Sequence, residues 1–129
     1  MSDTYSIRIS ISKKLGDLEI DFNKIFEADL IEYDFENEYE WIEVYSKKYN
    51  LYANISRNHG GNVGSYKNPI DIRIDFHNHK EDMLENNKKI AELISKYLNT
   101  TVSFGKLDWV RNNDDEFKFI VLGNYFAKK

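Results

Sequence analysis

The feature that most constrains the fold is a strict alternation of apolar and polar residues, which is most regular in the segment IDIRIDF at residues 70–76. One parity holds Ile70, Ile72, Ile74 and Phe76, and the other holds Asp71, Arg73 and Asp75. Successive side chains of a strand point to opposite faces, so the alternation predicts a β-strand with one buried face. The same pattern predicts strands at residues 5–12 and 51–57.

An amphipathic helix is predicted directly after this strand. Asn78 is a candidate N-cap, Glu81 completes a capping-box pattern, and Asn99 is a candidate C-cap. Apolar residues recur at helical spacing between the caps: Met83, Ile90, Ala91, Ile94, Tyr97 and Leu98. A short strand at residues 101–104 follows, and a strand, a helix and a strand within about 35 residues have the length of a βαβ unit. We expect this unit to bury one common set of residues: Ile72, Ile74, Ile90, Ile94 and Val102.

Two periodicities overlap between residues 17 and 30. An alternation typical of a strand places acidic residues between Leu18, Ile20 and Phe22. Helical spacing, which favours a helix over residues 22–30, is shared by Phe22, Ile25, Phe26 and Leu30. We expect a turn at residues 13–16, then a short strand, then that helix.

The rest of the chain completes the predicted fold class. A turn is expected at residues 47–50, and a polar turn at residues 111–116 precedes a last strand at residues 117–122. With 129 residues and no internal repeat, the chain is expected to form a single domain, residues 1–129. The predicted class is α+β, with about six strands in an antiparallel or mixed sheet that packs on one main helix, and with a short second helix.

Composition excludes several classes of function. The chain has no Cys, which excludes disulfides and thiolate chemistry. The N-terminus lacks the apolar core of a signal peptide, and no apolar run approaches the roughly 20 residues that span a bilayer. We therefore expect a cytoplasmic protein without a membrane partner. A net charge of −4 disfavours nucleic acid as the main partner, because binding phosphates requires a basic face.

The negative charge is concentrated in residues 27–43, EADLIEYDFENEYEWIE, which contain eight carboxylates and no Lys or Arg. This segment has a charge of −8, so the rest of the chain sums to +4. From Tyr33 to Trp41 the acidic residues alternate with aromatic ones, which predicts a strand with carboxylates on one face and aromatic rings on the other. The apolar positions change parity after Trp41, and a bulge or a turn at residues 36–38 would explain this change.

Two interpretations of the acidic strand are open. One is a solvated edge strand, whose charges prevent pairing with other chains. The other is a surface for a basic protein, since carboxylates attract Lys and Arg and steer association, and Tyr and Trp are frequent interface anchors. The candidate partner-binding residues are Asp34, Glu36, Glu38, Glu40, Trp41 and Glu43.

Asp75, His77 and His79 form a pattern typical of a metal site, because two His one residue apart can share an ion with a nearby carboxylate. The string resembles the first metal motif of the polymerase-and-histidinol-phosphatase type of phosphoesterase and of amidohydrolases, which implies a metal-dependent hydrolase. Those folds collect further ligands from later strands, and no His follows His79. The alternative is a polar junction before the helix, so we assign no metal, cofactor or catalytic residue. The glycine-rich loop at residues 58–69, which includes His59, is expected to be a flexible connection.

The chain resembles the immunity proteins of bacterial polymorphic-toxin and contact-dependent growth inhibition systems. Those are small, Cys-free, acidic, aromatic-rich α+β proteins, and the resemblance includes the stretch NPIDIRIDF…IAELISKYLNTTVSFGK at residues 68–106. It implies a cytoplasmic antitoxin that binds and blocks one cognate toxin with a basic surface, such as a nuclease, and it transfers no catalytic residue. The alternatives are the metal-dependent hydrolase and a homo-oligomeric structural protein that uses the aromatic strand as its interface.

Overall fold

The computed structural model describes residues 4–36, 39–58, 68–76, 83–110 and 116–126. Its elements in chain order are strand β1 (Thr4–Ile9), a 3₁₀ helix (Leu15–Leu18), helix α1 (Glu19–Phe26), strands β2 (Leu30–Phe35), β3 (Tyr39–Ser46), β4 (Leu51–Asn58) and β5 (Ile70–Phe76), helix α2 (Met83–Leu98), and strands β6 (Val102–Val110) and β7 (Glu116–Tyr125). In the part of the chain that the structure describes, neither helix is long and apolar enough to cross a membrane.

The seven strands form one sheet in the order β2-β3-β4-β5-β1-β6-β7, and each neighbouring pair is antiparallel. The α+β class is confirmed, with one strand more than expected and with antiparallel pairing throughout. β5 and β6 both pair with β1, so they run parallel to each other but are not neighbours. The predicted βαβ unit therefore encloses a third strand. Ile7 on β1 pairs with Ile72 on one side and with Phe104 on the other.

The hydrophobic core lies between the helices and one face of this sheet. The two helices contact each other, α1 packs on β2 and β3, and α2 packs on β1, β6 and β7. Alternate residues of β3 and β4 are buried, as period-two alternation requires. The set expected to be buried together is confirmed, because Ile72, Ile74, Ile90, Ile94 and Val102 all belong to the core.

The expectation for residues 17–30 is partly wrong. No strand forms at residues 18–22; the 3₁₀ helix ends at Leu18, and α1 follows directly. Leu18 and Phe22 are buried while Ile20 is exposed, which is the pattern of a helical turn. Glu27 ends α1 in the left-handed conformation, with φ 47°, so the helix stops before Leu30, which opens β2 instead.

The reversals expected after α2 and between β3 and β4 are confirmed, whereas the turn expected at residues 13–16 runs into the 3₁₀ helix that begins at Leu15. Asn99 has φ 50° after α2, and the Thr100 N–H donates to the Ser95 carbonyl, which is the predicted C-cap. Asn50 has φ 54° in the predicted turn between β3 and β4. The last strand is also confirmed and is longer than expected. The predicted N-cap Asn78 with Glu81 lies outside the described residues, as do residues 111–115 of the turn predicted at residues 111–116; the last residue of that turn, Glu116, belongs to β7.

Candidate partner-binding face

The acidic segment folds into a hairpin and not into a single strand. The Glu36 N–H donates to the Tyr39 carbonyl at 2.8 Å, and the Tyr39 N–H donates to the Glu36 carbonyl at 3.3 Å. The turn expected near residues 36–38 is thus confirmed. The hairpin pairs Asp34 with Trp41, and therefore each even residue of β2 shares a face with an odd residue of β3. The predicted segregation of aromatic and acidic side chains is wrong for this reason.

Glu40 is the clearest correction among the candidate partner-binding residues. It was expected on the exposed carboxylate face, but its side chain points to the helical face of the sheet and only 1% of its surface is accessible. Its Oε1 accepts a hydrogen bond of 2.6 Å from the Tyr33 hydroxyl, while its Oε2 has no hydrogen-bond partner among the residues that the structure describes. A partner cannot reach this carboxylate while the hairpin is packed on the core.

Arg57 lies directly opposite Glu40, on β4. Its side chain is also 1% accessible, and its guanidinium donates to three backbone carbonyls: Lys13 at 2.8 Å, Asn68 at 2.9 Å and Ile11 at 3.2 Å. These acceptors follow β1 and precede β5, so one side chain connects the sheet to two connecting segments. Arg57 thus has a structural role.

Burial and the charge of Glu40 shift the pKa values of Tyr33 and Arg57. Burial raises the pKa of the Tyr33 hydroxyl, and the hydrogen bond to Glu40 raises it further. Burial lowers the pKa of Arg57, and the negative charge of Glu40 acts in the opposite direction. Arginine nevertheless stays protonated in proteins, so Glu40 and Arg57 place opposite charges on adjacent strands inside the core.

Within the described residues, no helix covers the opposite face of β2, β3 and β4, because both helices pack on the other side of the sheet. We call this surface the acidic face, and define it by the side chains of Leu30, Glu32, Asp34, Tyr39, Trp41, Glu43, Tyr45, Tyr52, Asn54 and Ser56. It contains three carboxylates and no Lys or Arg. Of the predicted partner-binding residues, Asp34, Trp41 and Glu43 lie on it together. Glu32, Tyr45 and Tyr52 were missed, although the hairpin register would have identified Glu32.

Glu32 and Glu43 are direct cross-strand partners on the acidic face. Directly opposed side chains of an antiparallel pair have Cβ atoms about 5 Å apart, so like charges there repel each other. Neither carboxylate has a hydrogen bond or an ion pair within the described residues. A depression of about 320 Å³ lies beside them, and its lining includes Leu30, Tyr45 and Tyr52.

The other carboxylates of the acidic segment have different surroundings. Glu27 forms an ion pair with Lys48, and the Oδ2 of Asp29 accepts a hydrogen bond of 2.7 Å from the Lys47 N–H. Both therefore anchor the β3–β4 turn. Glu36 is exposed at the tip of the hairpin, and Glu38 lies outside the described residues. Of the described carboxylates of the acidic segment, those that are accessible on the open face of the sheet are Glu32, Asp34 and Glu43.

The centre of the same sheet face differs from the acidic face, because it also carries basic side chains: Arg73 is exposed on β5, and Arg8 on β1 is paired with Asp71. The Arg8 Nε donates to Asp71 at 2.7 Å, and the Arg8 guanidinium lies 4.3 Å from the centre of the Phe119 ring. The uncompensated negative charge of the open sheet surface is therefore concentrated on β2 and β3.

The candidate metal motif and the glycine-rich loop fall mostly on residues that the structure does not describe. His77, His79 and residues 59–67 of the glycine-rich loop, which include His59, lie outside the described residues, as does the side chain of Asp75. Within the parts of the chain that are described, no three His, Cys, Asp or Glu side chains are grouped as a metal site requires. The metal-dependent hydrolase thus stays an untested alternative.

No protein-family model matches the chain, and no curated protein and no solved structure matches it either.

Proposed function

We propose that this chain is a non-enzymatic binding protein, and specifically a cytoplasmic immunity protein. In this proposal the acidic face binds a basic surface of a cognate toxin and thereby neutralises the toxin. The observation that carries the proposal is the opposed pair Glu32 and Glu43, which has no cationic partner among the described residues and borders a depression lined by tyrosines.

An opposed carboxylate pair has an electrostatic cost in the free protein, and a cation that binds between the carboxylates removes this cost. A Lys or Arg side chain of the partner satisfies both carboxylates at once and can contact Tyr45 or Tyr52 through its stem or through the face of the ring. Arginine fits this arrangement better than lysine, because its planar guanidinium can hydrogen-bond to a carboxylate and stack on an aromatic ring.

Trp41 provides an apolar contact on the same face. It is half-buried and lies opposite Asp34, so a partner that pairs with the carboxylate also covers the indole ring. Tryptophan and arginine are the residue types that contribute most binding energy at protein interfaces. The same local charge also accelerates association with a basic partner, since like charges on one surface produce a long-range field.

The shape and charge of the acidic face favour a protein over other ligands. Its side chains extend over three adjacent strands, which is a broad surface and not an enclosed pocket. Its carboxylates repel the phosphates of a nucleic acid. A toxin that binds nucleic acid has a basic substrate site, and this site would complement the acidic face.

The experiment begins with capture of the partner from the native host, followed by calorimetric titration of that partner at two salt concentrations. The test variant is Glu32→Gln/Glu43→Gln. Its matched control is Glu19→Gln/Glu85→Gln, which changes the net charge equally but alters side chains on the two helices, at the other side of the sheet.

We expect the test variant to lose about 10- to 100-fold in affinity, which corresponds to about 1.4–2.8 kcal/mol. Its affinity should also depend less on salt, because fewer ion pairs are screened at a Debye length of about 8 Å. The control should bind within about twofold of the wild type. Equal affinities of the two variants at both salt concentrations would exclude the acidic face as the binding surface.

A further inference from the structure

Four side chains, one from each of four neighbouring strands, form a row across the open side of the sheet. Glu32 on β2 is opposite Glu43 on β3, and Glu43 is opposite Asn54 on β4. Asn54 is in turn opposite Arg73 on β5. Directly opposed residues point to the same face, so the row runs from two carboxylates through an amide to a guanidinium. Arg73 lies just outside the acidic face, two strand spacings from Glu43, or about 10 Å.

Arg73 differs from the other basic residue of this face. Arg8 donates to Asp71 and lies over the Phe119 ring, so its charge is already paired within the sheet. The Arg73 side chain is exposed, and no carboxylate among the described residues lies within ion-pair distance of it. Its guanidinium can therefore pair with a carboxylate of another protein.

A partner that covers the acidic face must also cover Arg73. A stable interface buries about 800 Å² on each protein. β2, β3 and β4 have six to eight residues each, so these three strands offer an area of only about 14 by 25 Å, or roughly 350 Å². β2 is the edge of the sheet among the described strands, and the contact can therefore grow across the strands only towards β5.

We propose, as an extension that rests on the proposed function, that Arg73 is a specificity-determining residue of the partner-binding surface. The partner presents a carboxylate to Arg73, at about 10–14 Å from the basic side chain that binds between Glu32 and Glu43, which are two and three strand spacings away. A guanidinium covered by a uniformly basic surface loses its water and meets only repulsion. A carboxylate at that place can instead accept two hydrogen bonds from it.

The row thereby distinguishes the cognate partner from other basic proteins. A surface with cations at both positions pairs with Glu32 and Glu43 but places a like charge against Arg73. Such a partner is disfavoured although its overall charge is complementary, and specificity between related partners often depends on a repulsive contact of this kind.

Two synthetic peptides test the spacing directly. Both are alanine-rich helices of about 20 residues. One has an Arg followed seven residues later by a Glu, because seven residues of a helix rise about 10 Å, and the other has Gln in place of that Glu. Amide NMR titrations of the wild type and of Arg73→Gln with each peptide give four dissociation constants, which form a double-mutant cycle. The matched control is Lys24→Gln, which changes the net charge equally on exposed α1.

We expect the Glu peptide to bind the wild type and the Lys24→Gln control about two- to fivefold more tightly than the Gln peptide does. The two peptides should bind Arg73→Gln equally, and the shifts should include amides of β3 and β5. A cycle without coupling, or the absence of binding at these strands, would overturn the role of Arg73.

The partner captured from the native host gives a second test, in which the sign of the effect decides. Arg73→Gln makes the chain more negative, so a uniformly basic partner should bind the variant more tightly. We expect binding to weaken by about three- to tenfold instead, with Lys24→Gln within about twofold of the wild type. Equal or tighter binding of Arg73→Gln would overturn the inference but not the proposed function, if Glu32→Gln/Glu43→Gln still loses affinity. An unchanged affinity of the glutamate variant would overturn both.

Discussion

Replacement of Arg57 by Met removes a charged side chain that connects β4 with two connecting segments of the chain. Met has a similar length and no donor, so the change leaves the carbonyls of Ile11, Lys13 and Asn68 without their guanidinium donor. It also leaves the carboxylate of Glu40 buried opposite an uncharged side chain.

The magnitude follows from these contacts. A hydrogen bond to a charged group contributes about 1.5–3 kcal/mol, so the loss of three such bonds costs at most about 4.5–9 kcal/mol. Water that enters the site and movement of the connecting segments restore part of this loss. Removal of one member of a buried charged pair costs about 3–5 kcal/mol, and we expect Arg57→Met to destabilise the fold by that amount. The melting temperature should fall by about 10–20 °C.

Urea denaturation of the wild type and the variant measures this difference. The matched control is Arg73→Met, because Arg73 is exposed on β5 and its replacement should change stability by less than about 0.5 kcal/mol. Glu40→Gln in the Arg57→Met background should recover at least about 1 kcal/mol, because it removes the uncompensated buried charge. A loss of less than about 1 kcal/mol for Arg57→Met, or no recovery in the double variant, would refute this account of the cluster.

Two further changes test the fold. Tyr33→Phe should lower stability at neutral pH by about 1–2 kcal/mol, because the hydrogen bond to Glu40 is lost. The pKa of Tyr33 is raised in the folded state, so the hydroxyl stabilises the fold fully below the unfolded-state pKa of about 10 and progressively less at higher pH. The wild type should therefore lose more stability than the variant when urea denaturation is repeated at increasing pH from about pH 10. Ile94→Ala should cost about 2–5 kcal/mol through the cavity it leaves in the core, whereas Tyr97→Ala on the exposed side of α2 should cost much less in the same assay; equal losses would contradict the predicted packing of α2.

Much of the fold could be predicted because the patterns that predict it are local. Ile72, Ile90 and Ile94 were expected in the core from periodicity alone, and they are buried there. The acidic hairpin was harder, because its alternation continues across the turn. Asp34 and Glu40 share a parity in the sequence and lie on opposite faces in the sheet. The two residues can be assigned to opposite faces only when the turn at residues 36–38 and the register of the hairpin are known.

The sequence by itself determined which side chains of each strand and helix face inward, since the periods of 2 and 3.6 residues follow from backbone geometry. It also determined that the negative charge is local. The tertiary structure alone decided which of those charges share a surface. Glu40 is buried because the hairpin turns it to the helical face, opposite Arg57 of β4, and Glu32 opposes Glu43 because β2 and β3 pair in one register. Such contacts depend on which distant segments become neighbours, and no local period encodes that choice.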